Sequence, residues 1–428
     1  MVHREKNMRT LLKLGLAGAM LVLPLVAGAH AQDKKTFRIW WWDNPETAQA
    51  IASNAALEIF KAKHPDVEVK FEQKTFDQMQ KAGGMILSSG QAPNLTEYNK
   101  GNATAGLAAS QGLLTAMDEQ FKSLGWDKSL SESMTKLSRY DERGIFGSGP
   151  FVGAPSFGEF VSVFYNQDLF EQNGQKVPTT FAEFEAVLEA FKQKGITPLV
   201  AGTLDANAQH IVATLAYTQA DDAWIDNYQS LKAPLDTKPW LFAAQTVKSW
   251  VDKGYISKDA TGLKQDDAAN LFTGGKVPMF ISGTWYTRKF AKVDGLKWSQ
   301  FLFPTPKYTV GSTGHLWVVP EASENKELGY DFITAVLSPE VQTKMANAGG
   351  VALAPNAAEV TDEVGKRVST MFADIAAKGG LGFYPDWPVP GYYDLLVQAS
   401  TGLIAGTSTP EEFVERLKTA YDEAQADQ

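Results

Sequence analysis

Residues 36–46, "TFRIWWWDNPE", hold the reading on which the fold depends. Thr36 to Trp42 is dense in β-branched and aromatic side chains, the composition of a strand. Asn44-Pro45-Glu46 then reads as a helix start, with Asn44 as N-cap, Pro45 at the first helical position and an acid in the first turn. Apolar Ile51, Ala55, Ile59 and Phe60 follow at helical spacing, and His64-Pro65 predicts where the helix stops. The same unit repeats: "VEVKF" (67–71) alternates as a strand, a helix covers 76–87, and "LTEY" (95–98) is a third strand. This β-α-β-α-β order predicts an α/β protein with a mainly parallel sheet, both faces covered. Ligands of such sheets sit beyond the carboxyl ends of the strands, where Trp42, Asp43, Tyr98 and Asn99 fall. On a strand, Trp40 and Trp42 face one way and Trp41 the other. We expect Trp40 to pack between sheet and helix, and Trp41 and Trp42 to form a platform for a ligand.

Further along, a Gly/Pro-broken passage at 151–158 leads into a strand. Pro178-Thr179-Thr180 opens a helix with Phe181, Phe184, Leu188 and Phe191 on one face and Gly195 past its end. Helices are also predicted at 208–217, 240–253, 266–272, 326–337, 339–348 (Ser338 as N-cap, Pro339 first) and 409–424.

The first 31 residues differ in kind. Arg4, Lys6, Arg9 and Lys13 make a basic start, Leu14 to Ala29 is apolar, and Ala29-His30-Ala31 is a cleavage signature, so 1–31 reads as a signal peptide. A membrane anchor is the competing reading, but this apolar run falls short of the roughly 20 residues a spanning helix needs. The leader carries a net +3, so its removal takes the formal charge from −9 to −12. Such acidity disfavours nucleic acid and anionic lipid as partners. There is no cysteine, which excludes disulfides, thiolate metal sites and thiol nucleophiles. It also removes the residue that would carry a lipid anchor after the signal, which favours a soluble periplasmic protein.

Enzymatic patterns are missing. There is no G-x-S-x-G, H-E-x-x-H or Walker loop, and the glycines of "GIFGSGPFVG" lack the context of a dinucleotide fingerprint. Only His64, His210 and His315 follow the leader, and no local pattern joins one to a Ser and an Asp. Asp221-Asp222 and Asp266-Asp267 read as caps or solvated faces rather than a glycosidase pair. The adjacent tyrosines of "GYYD" (391–394) raise ferric iron as a ligand, but their Pro- and Trp-rich surroundings suit a carbohydrate better. What remains is a set of aromatics beside Gly, Pro or polar clusters: Trp41, Trp42, Tyr98, Phe157, Trp285, Trp317, Tyr384, Trp387, Tyr392 and Tyr393. A sugar ring packs its C–H face on an aromatic plane, and its hydroxyls bond to planar polar side chains.

In order along the chain, "FRIWWWDNPE", "ALEIFKAKHPDVEVKFE", "GQAPNLTEYNKGNATAGLAASQGLLTAMDE", "LFTGGKVPMFISGTW" and "AVLSPEVQTKMANAGGVALAPN" resemble the solute-binding proteins of ABC sugar importers, the maltose-binding-protein-like group. The resemblance spans nearly all of the chain after the leader. It implies a two-lobed periplasmic-binding-protein fold, type II-like, with a hinge between lobes. It implies a first lobe of 32–157 plus 317–338 and a second of 158–316 plus 339–428, with crossings near 157–162, 314–318 and 337–339. It further implies a monomer, not an enzyme, without cofactor or metal, that captures a mono- or oligosaccharide and delivers it to ABC transporter permease subunits.

Family ligand positions fall on Trp41, Trp42 and Asp43, on Glu97, Tyr98 and Asn99, and on Ser156, Phe157 and Glu159. They continue at Asp205, Asn207, Trp285, His315, Trp387 and Tyr392. The chain departs from the family at Asn94, where Asp is usual, at "TLDANAQ", which lacks a tryptophan, and at His315, where a small or aromatic residue is common. These departures bear on which sugar is bound. Two other readings stay open: an exported carbohydrate-active enzyme, and a binding protein for a non-sugar solute such as a polyamine or ferric ion.

Overall fold

The computed structural model describes residues 35–42, 44–130 and 132–427, apart from the side chains at 77, 132 and 133. The expected signal peptide and the expected ligand residue Asp43 lie outside the described residues. Among the described residues no helix is long and apolar enough to cross a membrane.

The opening stretch forms the strand Lys35–Trp41, which pairs in parallel with Val67–Gln73 on one side and Leu95–Tyr98 on the other. Two strands from distant parts of the chain extend this sheet antiparallel to Leu95–Tyr98 or to one another: Leu316–Val318 and then Ala154–Pro155. The predicted β-α-β-α-β order is therefore present, but the sheet is mixed.

The helix after the first strand starts later than predicted. It is Ala48–Lys63, and Thr47, not Asn44, is its N-cap, accepting from the Ala50 amide at 3.1 Å. Asn44 instead closes a turn, its side chain accepting from Glu46 N at 3.0 Å and its carbonyl from Thr47 N at 2.9 Å. An Asn-Pro pair is turn-forming, and the chain adopts helical geometry only at the next hydroxyl capper.

Alternation along the strand decides the core. Phe37, Ile39 and Trp41 pack with Leu57 and Phe60 of the helix and with Phe332 and Ile333 of the helix Lys326–Val336. Trp41 stacks on Phe71 (5.0 Å, 13°). Trp40 and Trp42 turn to the opposite face, where the Lys74 ammonium lies 4.2 Å over Trp40. Trp41, expected in the platform, is thus packed against the helix Ala48–Lys63, while Trp40 is buried in the cluster that holds Met79 and Leu87 of the helix Phe76–Leu87.

The second sheet runs Trp298–Phe301, Glu159–Asn166, Met279–Gly283, Leu199–Val200, with Gly311–Ser312 pairing the start of Glu159–Asn166. Its long strand is antiparallel to both neighbours, and only Leu199–Val200 pairs in parallel. The expectation of parallel pairing does not extend to this lobe. Helices Phe181–Gln193, Ala206–Tyr217, Lys238–Asp252, Tyr392–Ala405 and Pro410–Ala426 cover it. A stacked column of Trp224, Tyr228 and Tyr421 ties the last of them in.

The chain passes between the sheets from Pro155 to Glu159 and returns from Ser312 to Leu316. Beyond the helix Lys326–Val336, the helix Pro339–Asn347 still buries Val341 and Met345 in the first lobe's core. Val351 then bridges to Gly158.

Fully buried Gln342 secures this junction. Its amide donates to the carbonyls of Ser156 (2.7 Å) and Val336 (3.0 Å), and its oxygen accepts from Leu353 N at 2.9 Å. Gln342→Leu leaves two buried carbonyls and the half-buried Leu353 amide without this partner, each buried group worth about 1–3 kcal/mol. Urea unfolding should show a loss of roughly 2–5 kcal/mol; a loss under about 1 kcal/mol would mean the junction does not depend on it.

Candidate functional site

Between the lobes lies a cavity of about 630 Å³, within the range of small-ligand sites, roughly 300–1,000 Å³. Trp42, Gln49, Phe76, Lys81 and Asn99 line it from the first lobe, and Phe157, Glu159 and His315 from the crossings. The second lobe contributes Asp205, Gln209, His210, Gln265, Trp285 and Tyr286, and the loop and helix near the C-terminus Tyr384, Asp386, Trp387 and Tyr393.

The aromatic rings form two walls. On one, His315 lies 4.5 Å from Trp42, 5.4 Å from Phe157 and 6.3 Å from Phe76, and Tyr393 lies 6.2 Å from Phe76. On the other, His210 is 5.7 Å from Trp285 and 5.4 Å from Tyr384, which is 5.2 Å from Trp387. Two glycines let these rings seat. A Cβ on Gly283 would stand 1.9 Å from the Trp285 ring, and one on Gly314 would stand 2.1 Å from the Phe157 ring.

The residues that line the cavity carry polar atoms, and many of these lack partners. Trp42 Nε1, both amide atoms of Gln209, His210 Nδ1, Gln265 Oε1, Trp285 Nε1, His315 Nδ1 and Tyr384 OH are buried and hydrogen-bond to nothing among the described residues. Native proteins leave few such groups, and these eight atoms all belong to residues, from both lobes, that line one cavity.

The electrostatics follow from burial. Burial pushes His210 down to about 3; burial, with the nearby Lys100 charge, does the same for His315, so both imidazoles are neutral. Burial raises Asp386 to about 7 and raises Asp205. Fully buried Lys100 is pushed well below its ordinary value by burial, opposed by the Glu159 charge, and its ammonium donates to Thr313 Oγ1.

Of the expected ligand residues, Trp42, Asn99, Phe157, Glu159, Asp205, Trp285, His315 and Trp387 line the cavity. Trp41, Glu97, Tyr98, Ser156, Asn207 and Tyr392 do not, each for a physical reason. Trp41 is in the first lobe's core, as above. Glu97 Oε2 accepts from the Trp42 amide at 3.0 Å, so it holds a wall residue. Tyr98 is buried under Gly83, whose Cβ would meet its ring at 2.8 Å. Ser156 gives its carbonyl to Gln342. Asn207 bonds Gly202 N (2.7 Å) and Ile281 O (2.8 Å). Tyr392 is fully buried and donates to Leu417 O at 2.7 Å.

Asp205, which caps the helix Ala206–Tyr217, also accepts from Gln265 N at 2.9 Å. Phe76, Gln209, His210 and Asp386 line the cavity without having been singled out in the sequence, and Tyr384 and Tyr393, which were in the aromatic set but not among the family ligand positions, line it too. The signal for two of them was present: Gln209-His210 is a polar pair inside the otherwise apolar "AQHIVATLAY".

Residues 41–343 match the bacterial extracellular solute-binding protein family. The chain belongs to this family. Its sequence is 23% identical, over 443 residues, to a probable sugar-binding periplasmic protein of Brucella suis biovar 1, with 96% of this chain and 100% of the relative covered. Its structure is similar to that of a chitin oligosaccharide binding protein, with TM-score 0.79 and 21% identity, covering 92% of this chain and 100% of that one. It is also similar to the acarbose-binding GacH receptor of Streptomyces glaucescens, with TM-score 0.75 and 20% identity, covering 92% and 99%. The two-lobed α/β fold is thus shared across this family of binding proteins.

The shifted groups set a pH dependence. Between about pH 4 and 6.5 the unfolded chain protonates His210 and His315 and the folded protein does not, so stability falls as pH falls. Asp386 acts oppositely, holding its proton in the folded state up to about 7. Toward about pH 5 the two imidazoles outweigh it by one proton, so the slope rises to about 1.4 kcal/mol per pH unit there. Urea unfolding between about pH 6.5 and 5 should show this loss, and His210→Gln should nearly abolish it. An unchanged slope in the variant would contradict the assignment.

Proposed function

We propose that the protein captures a saccharide in this cavity, as a monomer in the periplasm, and delivers it to the membrane subunits of an ABC importer without transforming it. The observation that carries this reading is the set of unpartnered polar atoms on residues that line a cavity with two aromatic walls. Sugar hydroxyls both donate and accept, so they can satisfy indole and imidazole nitrogens together with amide oxygens, while their C–H faces cover the rings. The sugar-binding name of the Brucella relative and the chitin oligosaccharide and acarbose ligands of the two solved structures support the same class.

In this reading Trp42, Asn99, Phe157, Glu159, Asp205, Trp285, His315 and Trp387 touch the ligand, joined by Phe76, Gln209, His210, Tyr384 and Tyr393. Trp41, Glu97, Tyr98, Ser156, Asn207 and Tyr392 position them. A ligand that bonds to both lobes favours their closed arrangement, which is how binding is signalled to a permease. The first lobe extends in this account to about residue 348, because Val341 and Met345 belong to its core; the third crossing then falls at 349–351 rather than 337–339.

Titration with a panel of neutral mono- and oligosaccharides, followed by tryptophan fluorescence and melting temperature, should give a saturable response to at least one sugar. A panel without any response would contradict the reading. Trp42→Ala and Trp285→Ala should each cost roughly 1–3 kcal/mol of affinity. Trp41→Ala should instead lower stability by about 3–5 kcal/mol and leave the folded protein's affinity nearly unchanged. Equal affinity losses for Trp41→Ala and Trp42→Ala would show that Trp41 also meets the sugar.

A further inference from the structure

Asp386 is the acid in the cavity that the rest of the chain leaves uncompensated. It is 7% exposed and lines the cavity within "YPDW" (384–387). Its carboxylate accepts from its own amide, and no cation among the described residues stands beside it. The titratable groups it faces are the hydroxyls of Tyr217, Tyr228 and Tyr384, which are acids too. Of the cavity's lysines, Lys81 and Lys264 are exposed and Lys289 reaches Asp266, and none of the three acts on Asp386. Both imidazoles are neutral.

The loop holds Asp386 in place. Gln229 Nε2 donates to the carbonyls of Gly382 and Tyr384 (both 3.2 Å), Tyr228 OH donates to Pro385 O, and Ala103 N donates to Trp387 O at 3.1 Å. Phe383 takes a left-handed backbone, φ +66°, within the same anchored stretch. The backbone that carries the carboxylate is therefore fixed at the cavity.

A buried carboxylate is stabilised by a counter-charge and poorly by apolar surroundings. Tyr384 and Trp387, on either side of it in the chain and lining the same cavity, supply the faces on which an ammonium group is held by cation–π attraction. We propose that Asp386 and the flanking Tyr384 and Trp387 rings form a subsite for a protonated amine, so that the saccharide taken up carries a free amino group. This rests on the carbohydrate reading above and narrows it to amino sugars.

The test compares a glucosamine trisaccharide with free amines, its fully N-acetylated counterpart, cellotriose and spermidine, by calorimetry at about pH 6.5, below the usual range of such amines. The free-amine trisaccharide should bind about tenfold or more tightly than either neutral trisaccharide. Asp386→Asn should bring the three within about twofold, and Tyr384→Phe, which keeps the ring, should preserve the preference.

A second measurement needs no variant. Binding of the amine should ionise Asp386 and release a proton, so its heat should differ between buffers of different ionisation enthalpy, while the neutral sugars' heats do not. Neutral sugars that bind as tightly as the amine, or a preference that survives Asp386→Asn, would overturn the amine subsite and leave the carbohydrate reading standing. Spermidine binding that depends on Asp386, with no sugar bound, would overturn the carbohydrate reading and keep the subsite. No binding by any probe would overturn both.

Discussion

A polar atom buried without a partner costs about 1–3 kcal/mol, and of the 25 such side-chain atoms among the described residues eight belong to residues that line one cavity. At the junction of the lobes two buried polar side chains are satisfied within the chain: Gln342 meets three backbone groups and Lys100 meets Thr313. Around the cavity Trp42, Gln209, His210, Trp285, His315 and Tyr384 line one space and carry buried atoms without a partner among the described residues. The first group fixes where the lobes stand. The second makes the space between them incomplete without a molecule rich in hydrogen-bonding groups.

The three tryptophans show how a two-residue period delivers both needs from one strand. Trp41 faces the helices and stacks on Phe71, which anchors the sheet. Trp42 faces the other way at the strand's carboxyl end, with its amide held by Glu97 and its ring against His315. Acidic Glu97 is thus a support for the site and not a contact in it.

Much of this was legible in the sequence because it is local. The helix Phe76–Leu87 and the strand Leu95–Tyr98 fall at the predicted limits, and Ser338 and Pro339 open their helix as expected. The errors share a cause. Asn44 as a cap failed because two capping signals lay three residues apart and the later one won. The antiparallel strands failed because Leu316–Val318 and Glu159–Asn166 take their direction from the distant segments they meet. Tyr392 and Asn207 were expected at the ligand from family position, yet their polar atoms are consumed by Leu417, Gly202 and Ile281. Whether a polar side chain is spent or free depends on its neighbours in space, and local patterns do not encode that.

The central claim is that the unpartnered atoms between the lobes are the ligand's partners. A crystal structure of the protein with the sugar that binds most tightly tests this directly. The account predicts one saccharide between the wall of Trp42 and Phe76 and the wall of Trp285 and Tyr384, with hydroxyls within hydrogen-bond distance of His210 Nδ1 and His315 Nδ1. A sugar bound elsewhere, or in the cavity with those two nitrogens still unpartnered, would contradict it.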